Sequence, residues 1–304
     1  MNTHELLNPT TPLRNPGGHF LLTGILQGPA SSPDSCWLRL EDYRGEVTVF
    51  DELEIYRRLR GCPLPCPVWA DLQAWRHREG VQFSLIDIAK ATADDVGVTS
   101  TLLPLSRTPT LAILARGALV RFHRGLRNLH LRRFLSELIL DPHIFVPLLC
   151  VPASHKHHHA YPGGLLVHST DMLDECANFM RSRMPDGPDA AEVTQVGYLL
   201  HDLGKVVTHR GGTDAVTRAR RHQDVTLELV APYIEQLSWS DERCADRLAQ
   251  ILEHCAKSAS QRSFNVFPGA HIVTTFDGMS VGFERKAAAN DSVVDFARRG
   301  LTHG

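Results

Sequence analysis

Apolar residues alternate with polar ones up to about residue 92, then recur every third or fourth residue from about residue 110 onward. A period of two buries one face of a strand, whereas a period of 3.6 buries one face of a helix, and neither pattern settles as the other. The switch therefore divides the 304-residue chain into a β half and a helical half, an α+β two-domain fold. In the first half, residues 19–26, 35–42, 46–50, 68–75 and 81–89 read as strands. Tyr43-Arg44-Gly45 and the segment from His77 to Gly80 carry turn chemistry, and 53–59 reads as a short helix. Five short strands with a helix in the middle predict a small barrel of the OB type. In the second half, 110–121, 129–140, 164–183, 190–203, 216–236 and 241–257 carry helical spacing, with prolines such as Pro142, Pro147, Pro162 and Pro188 as punctuation. The expected layout is a flexible tail over 1–14, an OB-like barrel over 15–92, a linker rich in Asp, Thr, Ser and Pro over 93–109, and a helical domain over 110–304.

Apolar content of 43% and charged content of 22% describe a soluble globular protein. A net charge of −2 excludes a chain that coats nucleic acid by bulk charge, though not one with a local basic groove. No run approaches the ~18 apolar residues of a membrane span, and the start of the chain lacks the basic-then-apolar order of a signal peptide. Seven cysteines, odd in number and scattered, fit reduced thiols and a cytoplasmic location. Cys62 and Cys66 form a lone CxxxC with no second pair and read as structural thiols.

Histidine is the unusual component, with 17 in the chain and many after residue 154. His201-Asp202 ends an apolar helical stretch, Tyr198-Leu199-Leu200-His201-Asp202-Leu203-Gly204-Lys205. An imidazole beside a carboxylate makes a pair of metal ligands, and burying them without a partner is costly. Neighbouring helical residues point about 100° apart, so both reach one ion only at a helix edge lining a cleft. His168, near the start of a helix, His222, opening another, His254, ending a later one, and Asp277 are further candidate ligands.

His168, then His201-Asp202, then Asp277 resemble the H…HD…D pattern of the HD-domain phosphohydrolase superfamily. The words Gly163-Gly164-Leu165-Leu166-x-His168 and Leu200-His201-Asp202-Leu203-Gly204-Lys205 match too, and the likeness covers about residues 110–285. Two branches are similar. An OB-like barrel ahead of such a domain, with a His-His pair (His158-His159) before the Gly-Gly-Leu-Leu word, resembles the YhaM-type 3′–5′ exoribonucleases. The segment from Pro152 to Gly164 and the word Asp277-Gly278-Met279-Ser280-Val281 resemble the HD-like domain of TraI-class relaxases.

The resemblance implies a divalent metal held by His168, His201, Asp202 and Asp277. His222 and His254 are then candidates for a second ion, with Asp202 bridging. Cys255 departs from the His-His pair that dinuclear relatives often show after this helix. Mixed imidazole and carboxylate ligation suits manganese, iron, nickel or zinc, with magnesium also open. Lys205, three residues after Asp202, reads as a phosphate contact or as a lysine compensating a helix end. His158 and His159 are candidate phosphate contacts. In the barrel, Trp37, Trp75 and Arg39 are candidate nucleic-acid contacts, joined by Arg220 and Arg221 from the helical half. The expected function is a phosphodiesterase trimming single-stranded RNA, or DNA, from the 3′ end. Relaxase-like DNA processing, nucleotide hydrolysis and a metal-free binding scaffold are the alternatives.

Overall fold

The computed structural model describes residues 5–6, 15–27, 35–42, 45–51, 55–59, 61–77, 80–93, 108–156, 158–185 and 187–282. The Tyr43-Arg44 turn, nearly all of the 93–109 linker and the side chain of Trp75 lie outside the described residues. The chain forms two compact units, one of residues 1–108 with 136–146 and one of 109–135 with 147–304.

The first unit is a closed barrel. Its strands are β1 (Glu5–Leu6), β2 (Asn15–Gln27), β3 (Cys36–Glu41), β4 (Glu46–Asp51), β5 (Cys66–His77) and β6 (Gly80–Lys90). β2 pairs antiparallel with β3 and β5, β3 with β4, and β5 with β6. The ring closes where β4 runs parallel to β6, through Val49–Phe83 and Phe50–Ser84. One parallel closure, with a short 3-10 helix (Ile55–Leu59) between β4 and β5, is the OB-like order the alternation predicts. β1 lies outside the ring, pairing with Trp75 and Arg76 of β5 within the stretch expected as a tail. The alternation does its expected work: Leu38, Leu40, Val49, Val68, Leu72, Leu85 and Ile88 fill the interior. Arg39, between Leu38 and Leu40, points outward and pairs with Glu46 at 3.3 Å. Trp37 packs against Phe50, ring centroids 4.8 Å apart.

The second unit is helical among its described residues. Its central element is α6 (Pro188–Leu200), where Ala190, Ala191, Val193, Val196, Tyr198, Leu199 and Leu200 are all buried. The helix is buried on every side: its polar Glu192, Thr194 and Gln195 are hydrogen-bonded, and α4 (Gly164–Thr170), α5 (Leu173–Arg183) and α10 (Glu242–Ala256) pack against it. No described helix is long and apolar enough to cross a membrane.

Several helices differ from the sequence expectation. The helix expected over 164–183 is two, α4 and α5, broken at Asp171 and Met172. Asp171 is drawn into a buried polar network there, accepting from the Tyr198 hydroxyl at 2.7 Å. The helix expected over 216–236 is also two, α8 (Ala215–Ala219) and α9 (His222–Ser238). The helix expected to run to 203 stops at Leu200. Residues 201–204 form a turn before α7 (Lys205–Thr208). Pro147 lies inside a helix, α3 (Pro142–Cys150), instead of ending one. A proline removes one internal hydrogen bond, and burial of Ile144, Phe145, Leu148 and Leu149 offsets it. Residues 268–282 form a further helix, α11, which carries Asp277; α1 (Ile113–Gly125) and α2 (Leu129–Leu140) fall close to expectation.

Candidate metal centre

His168, His201, Asp202 and Asp277 converge on one point from three directions. His168 comes from α4, His201 and Asp202 from the turn after α6, and Asp277 from α11. The His168 Nε2 lies 3.3 Å from the His201 Nε2, 3.5 Å from the Asp202 Oδ2 and 3.3 Å from the Asp277 Oδ1. The His201 Nε2 lies 3.6 Å from the Asp202 oxygen and 3.5 Å from that of Asp277. Both imidazole nitrogens thus lie within 3.3–3.6 Å of each other and of one oxygen from each carboxylate. His168, His201 and Asp202 group closely enough to hold a metal ion, and Asp277 reaches both histidines from α11.

The outer ring nitrogens fix which atoms face inward. His201 Nδ1 donates to the Tyr198 carbonyl at 2.6 Å. His168 Nδ1 donates to the Ser280 hydroxyl at 3.2 Å, and that hydroxyl donates to the Asp171 Oδ2 at 2.5 Å. Both histidines therefore turn an Nε2 lone pair toward the common centre, the arrangement that outer hydrogen bonds enforce on metal-binding imidazoles. Asp171, Ser280 and Tyr198 were not singled out from the sequence. Their signal is spacing: each lies three residues from a ligand (His168, Asp277 and His201), on the same helical side. His159, His168 and Asp171 also group closely enough to suit a metal. Asp171, however, already accepts from Tyr198 and Ser280, which makes it a support for His168.

Two glycines let the elements meet. A Cβ on Gly204 would lie 1.9 Å from the His222 carbonyl oxygen and 2.7 Å from the Thr226 nitrogen. Its absence seats the His201–Gly204 turn on the start of α9, where the Gly204 N–H donates to the Thr226 hydroxyl at 2.8 Å. This contact brings His222 Nε2 to 3.1 Å from the Asp202 Oδ1, while Oδ2 is the oxygen near His168 and His201. Similarly, a Cβ on Gly164 would lie 2.0 Å from the His159 carbonyl oxygen, so the first residue of α4 can touch the histidine-rich loop.

Charge in the centre is strongly coupled. Burial alone would raise the Asp202 carboxyl, but His201, Lys205, His168 and His222 outweigh it and hold it well below the usual carboxylate range. Asp277 overcomes its burial in the same direction, through His168 and His201. Burial would lower the His168 imidazole, yet Asp202 and Asp277 push it up to about 9; His201 is raised likewise. In the metal-free protein, protons on imidazole thus supply the positive charge that two converging carboxylates demand.

The surrounding residues divide into those near the centre and those elsewhere. Lys205, buried, contacts the Asp202 Oδ2. The rings of His158 and His159 lie 5.4 and 5.7 Å from that of His168, and His159 Nδ1 meets the Tyr161 hydroxyl at 3.0 Å. His209, stacked on His155 at 4.2 Å, stands edge-on to His222 at 6.3 Å; burial, His155 and Lys205 lower its imidazole to about 4. The structure separates the two candidates for a second ion. His222 meets Asp202, whereas His254 packs its ring on His271 at 4.7 Å. One residue further, Cys255 is the side chain that senses Asp202 and Asp277. Burial, reinforced by those carboxylates, pushes its thiol up to about 12. Arg220 pairs with Glu228 at 2.5 Å, and the Arg221 guanidinium donates to the Ala256 carbonyl. Trp37 and Arg39 belong to the barrel unit.

No protein-family model, no curated protein and no solved structure matches this chain.

Two outcomes follow from this geometry. His168 must lose a proton to ligate, and its metal-free value is about 9. Apparent metal affinity should therefore rise about tenfold per pH unit for each proton displaced between pH 7 and 9, then level off. Calorimetric titration in two buffers of different ionisation enthalpy counts the protons released; an affinity flat across that range contradicts the assignment. Gly204→Ala should push His222 off Asp202, destabilise the fold by ~1–3 kcal/mol and weaken metal uptake. Urea unfolding and metal titration check both, and a variant equal to wild type in each contradicts the packing described.

Proposed function

We propose that the helical unit is a metal-dependent phosphohydrolase of the HD-domain type, and that the chain hydrolyses phosphodiester bonds in single-stranded nucleic acid. RNA trimmed from the 3′ end is the leading substrate. The observation that carries this reading is the convergence of two imidazole nitrogens on one oxygen from each of two carboxylates, with Lys205 and His158 beside it. A divalent ion held by His168, His201, Asp202 and Asp277 would supply Lewis acidity, making water more acidic and offsetting charge on phosphoryl oxygens.

The remaining roles fall to the chain itself. Lys205 brings a buried ammonium to the same carboxylate edge, where it can pair with a phosphoryl oxygen. His158 is held neutral by burial and by His168, Lys205 and His159, and its Nδ1 is buried without a hydrogen-bond partner. A neutral imidazole offers one donor and one lone pair, which suits it to bind a phosphoryl oxygen or to pass a proton to the leaving oxygen. His222 positions Asp202 through Oδ1, leaving Oδ2 to the two histidines. The barrel supports a polymeric substrate by analogy of fold alone.

In manganese, the purified chain should shorten a 5′-labelled single-stranded RNA. Asp202→Asn should lower the rate by more than about 100-fold, since loss of an outer support alone costs up to that much, with an unchanged circular dichroism spectrum. A folded chain inactive with manganese, iron, nickel, zinc and magnesium contradicts the reading. Nicking of a supercoiled plasmid without shortening of single strands moves it to the DNA-processing branch, and cleavage of mononucleotides alone moves it to nucleotide hydrolysis.

A further inference from the structure

The loop after α10 holds an aromatic ring in water. Phe264 is 94% exposed, yet its segment is tied down along its length. Ser258 and Gln261 form a reciprocal cap. Arg262 Nε donates to the carbonyls of His254 at 3.3 Å and Lys257 at 3.2 Å. The Asn265 N–H donates to the Ser263 hydroxyl at 3.1 Å, and the Phe267 N–H to the Gln250 Oε1 at 2.8 Å. Exposure of Phe264 is therefore built into a fixed loop. Its ring lies over His271, centroids 6.0 Å apart and planes 23° from parallel; His271 in turn meets the buried His254 edge-on at 4.7 Å. The result is a supported aromatic step.

Positive charge gathers beside the step. Arg221 and Arg262 both donate to carbonyls at the end of α10, and Lys257 is exposed at the same end. Asp224 lies 3.8 Å from Arg221 and offsets part of that charge. Asp277, its side chain 40% exposed, is more open than the other three ligands, and it shares α11 with His271. The step and its basic rim thus sit together at the end of α10, and α11 carries both His271 and Asp277.

We propose that Phe264, backed by His271, is a base-stacking subsite for a single-stranded polynucleotide, with Arg221, Lys257 and Arg262 receiving its backbone phosphates. Every base presents a π face, so an exposed ring bordered by cations recognises a single strand without reading its sequence. The inference rests on the phosphodiesterase reading and deepens it, because a mononucleotide would not need a platform set apart from the ligands.

Binding tests it independently of catalysis. The full metal-free chain is titrated into a fluorescein-labelled 12-mer of RNA, and of DNA, with anisotropy as readout. Phe264→Ala should weaken binding about 5- to 150-fold, the span expected for one stacked base, and Phe264→Trp should restore it. Arg262→Ala should flatten the salt dependence. Hydrolysis then separates the two claims. In manganese, Phe264→Ala should raise KM for the oligonucleotide and leave kcat/KM for bis(p-nitrophenyl) phosphate within about twofold. Equal oligonucleotide affinity in wild type and Phe264→Ala, or no binding by wild type, overturns the subsite even if the small diester is hydrolysed. Weakened binding in a chain that hydrolyses neither substrate supports the subsite and sinks the enzyme. Loss of a protein complex on Phe264→Ala with unchanged oligonucleotide binding assigns the ring to a protein partner and overturns the proposal.

Discussion

Two imidazole lone pairs and two carboxylate oxygens share a volume a few ångströms across, and only a positive charge among them makes that arrangement favourable. Without one, His168 and His201 would face each other nitrogen to nitrogen at 3.3 Å, next to two buried or half-buried anions. Isolated charges in such surroundings are costly. The coupling of proton affinities shows the same demand: the carboxyls are pulled down and the imidazoles pulled up. Much of the helical unit is arranged to keep these four groups aimed inward.

That aim is maintained by polar residues one helical turn away. Tyr198 holds His201 through its carbonyl, and its hydroxyl reaches Asp171 and the His168 carbonyl. Ser280 links His168 to Asp171. Lys205 sits on Asp202 from the following turn. The tertiary network also explains where helices stop. The helix breaks after Thr170, where Asp171 accepts from Tyr198 and Met172 leaves the helical conformation. α6 ends at Leu200, and His201 and Asp202 reach one place from the turn that follows it. Gly204 then admits α9 to the back of the same carboxylate.

Much of this was legible in the sequence. The change of period divided the chain into barrel and helices, and in β3 Leu38 and Leu40 lie inside with Arg39 outward, as a period of two requires. The H…HD…D order picked out four residues that do converge. What the sequence hid were features set by long-range contact. Periodicity runs straight through Asp171 and Arg221 because local propensity is indifferent to a partner more than a hundred residues away, such as Ser280. Pro147 reads as a breaker, and only burial of its apolar neighbours shows otherwise. His254 was a candidate for a second ion, and only the packing of α10 against α11 shows its ring lying edge-on to His271. The supports Asp171, Ser280 and Tyr198 carried a usable signal in their three-residue spacing, which becomes meaningful once the ligands are known.

The most direct measurement is X-ray absorption at the metal edge of the full chain loaded with one equivalent of manganese or zinc. The account predicts one ion per chain with only nitrogen and oxygen neighbours at about 2.0–2.2 Å, imidazole scattering from two histidines, and loss of that signal in Asp202→Asn. Sulfur neighbours at about 2.3 Å, which would place the ion on Cys62, Cys66 or Cys255, or a spectrum unchanged by Asp202→Asn, would contradict it.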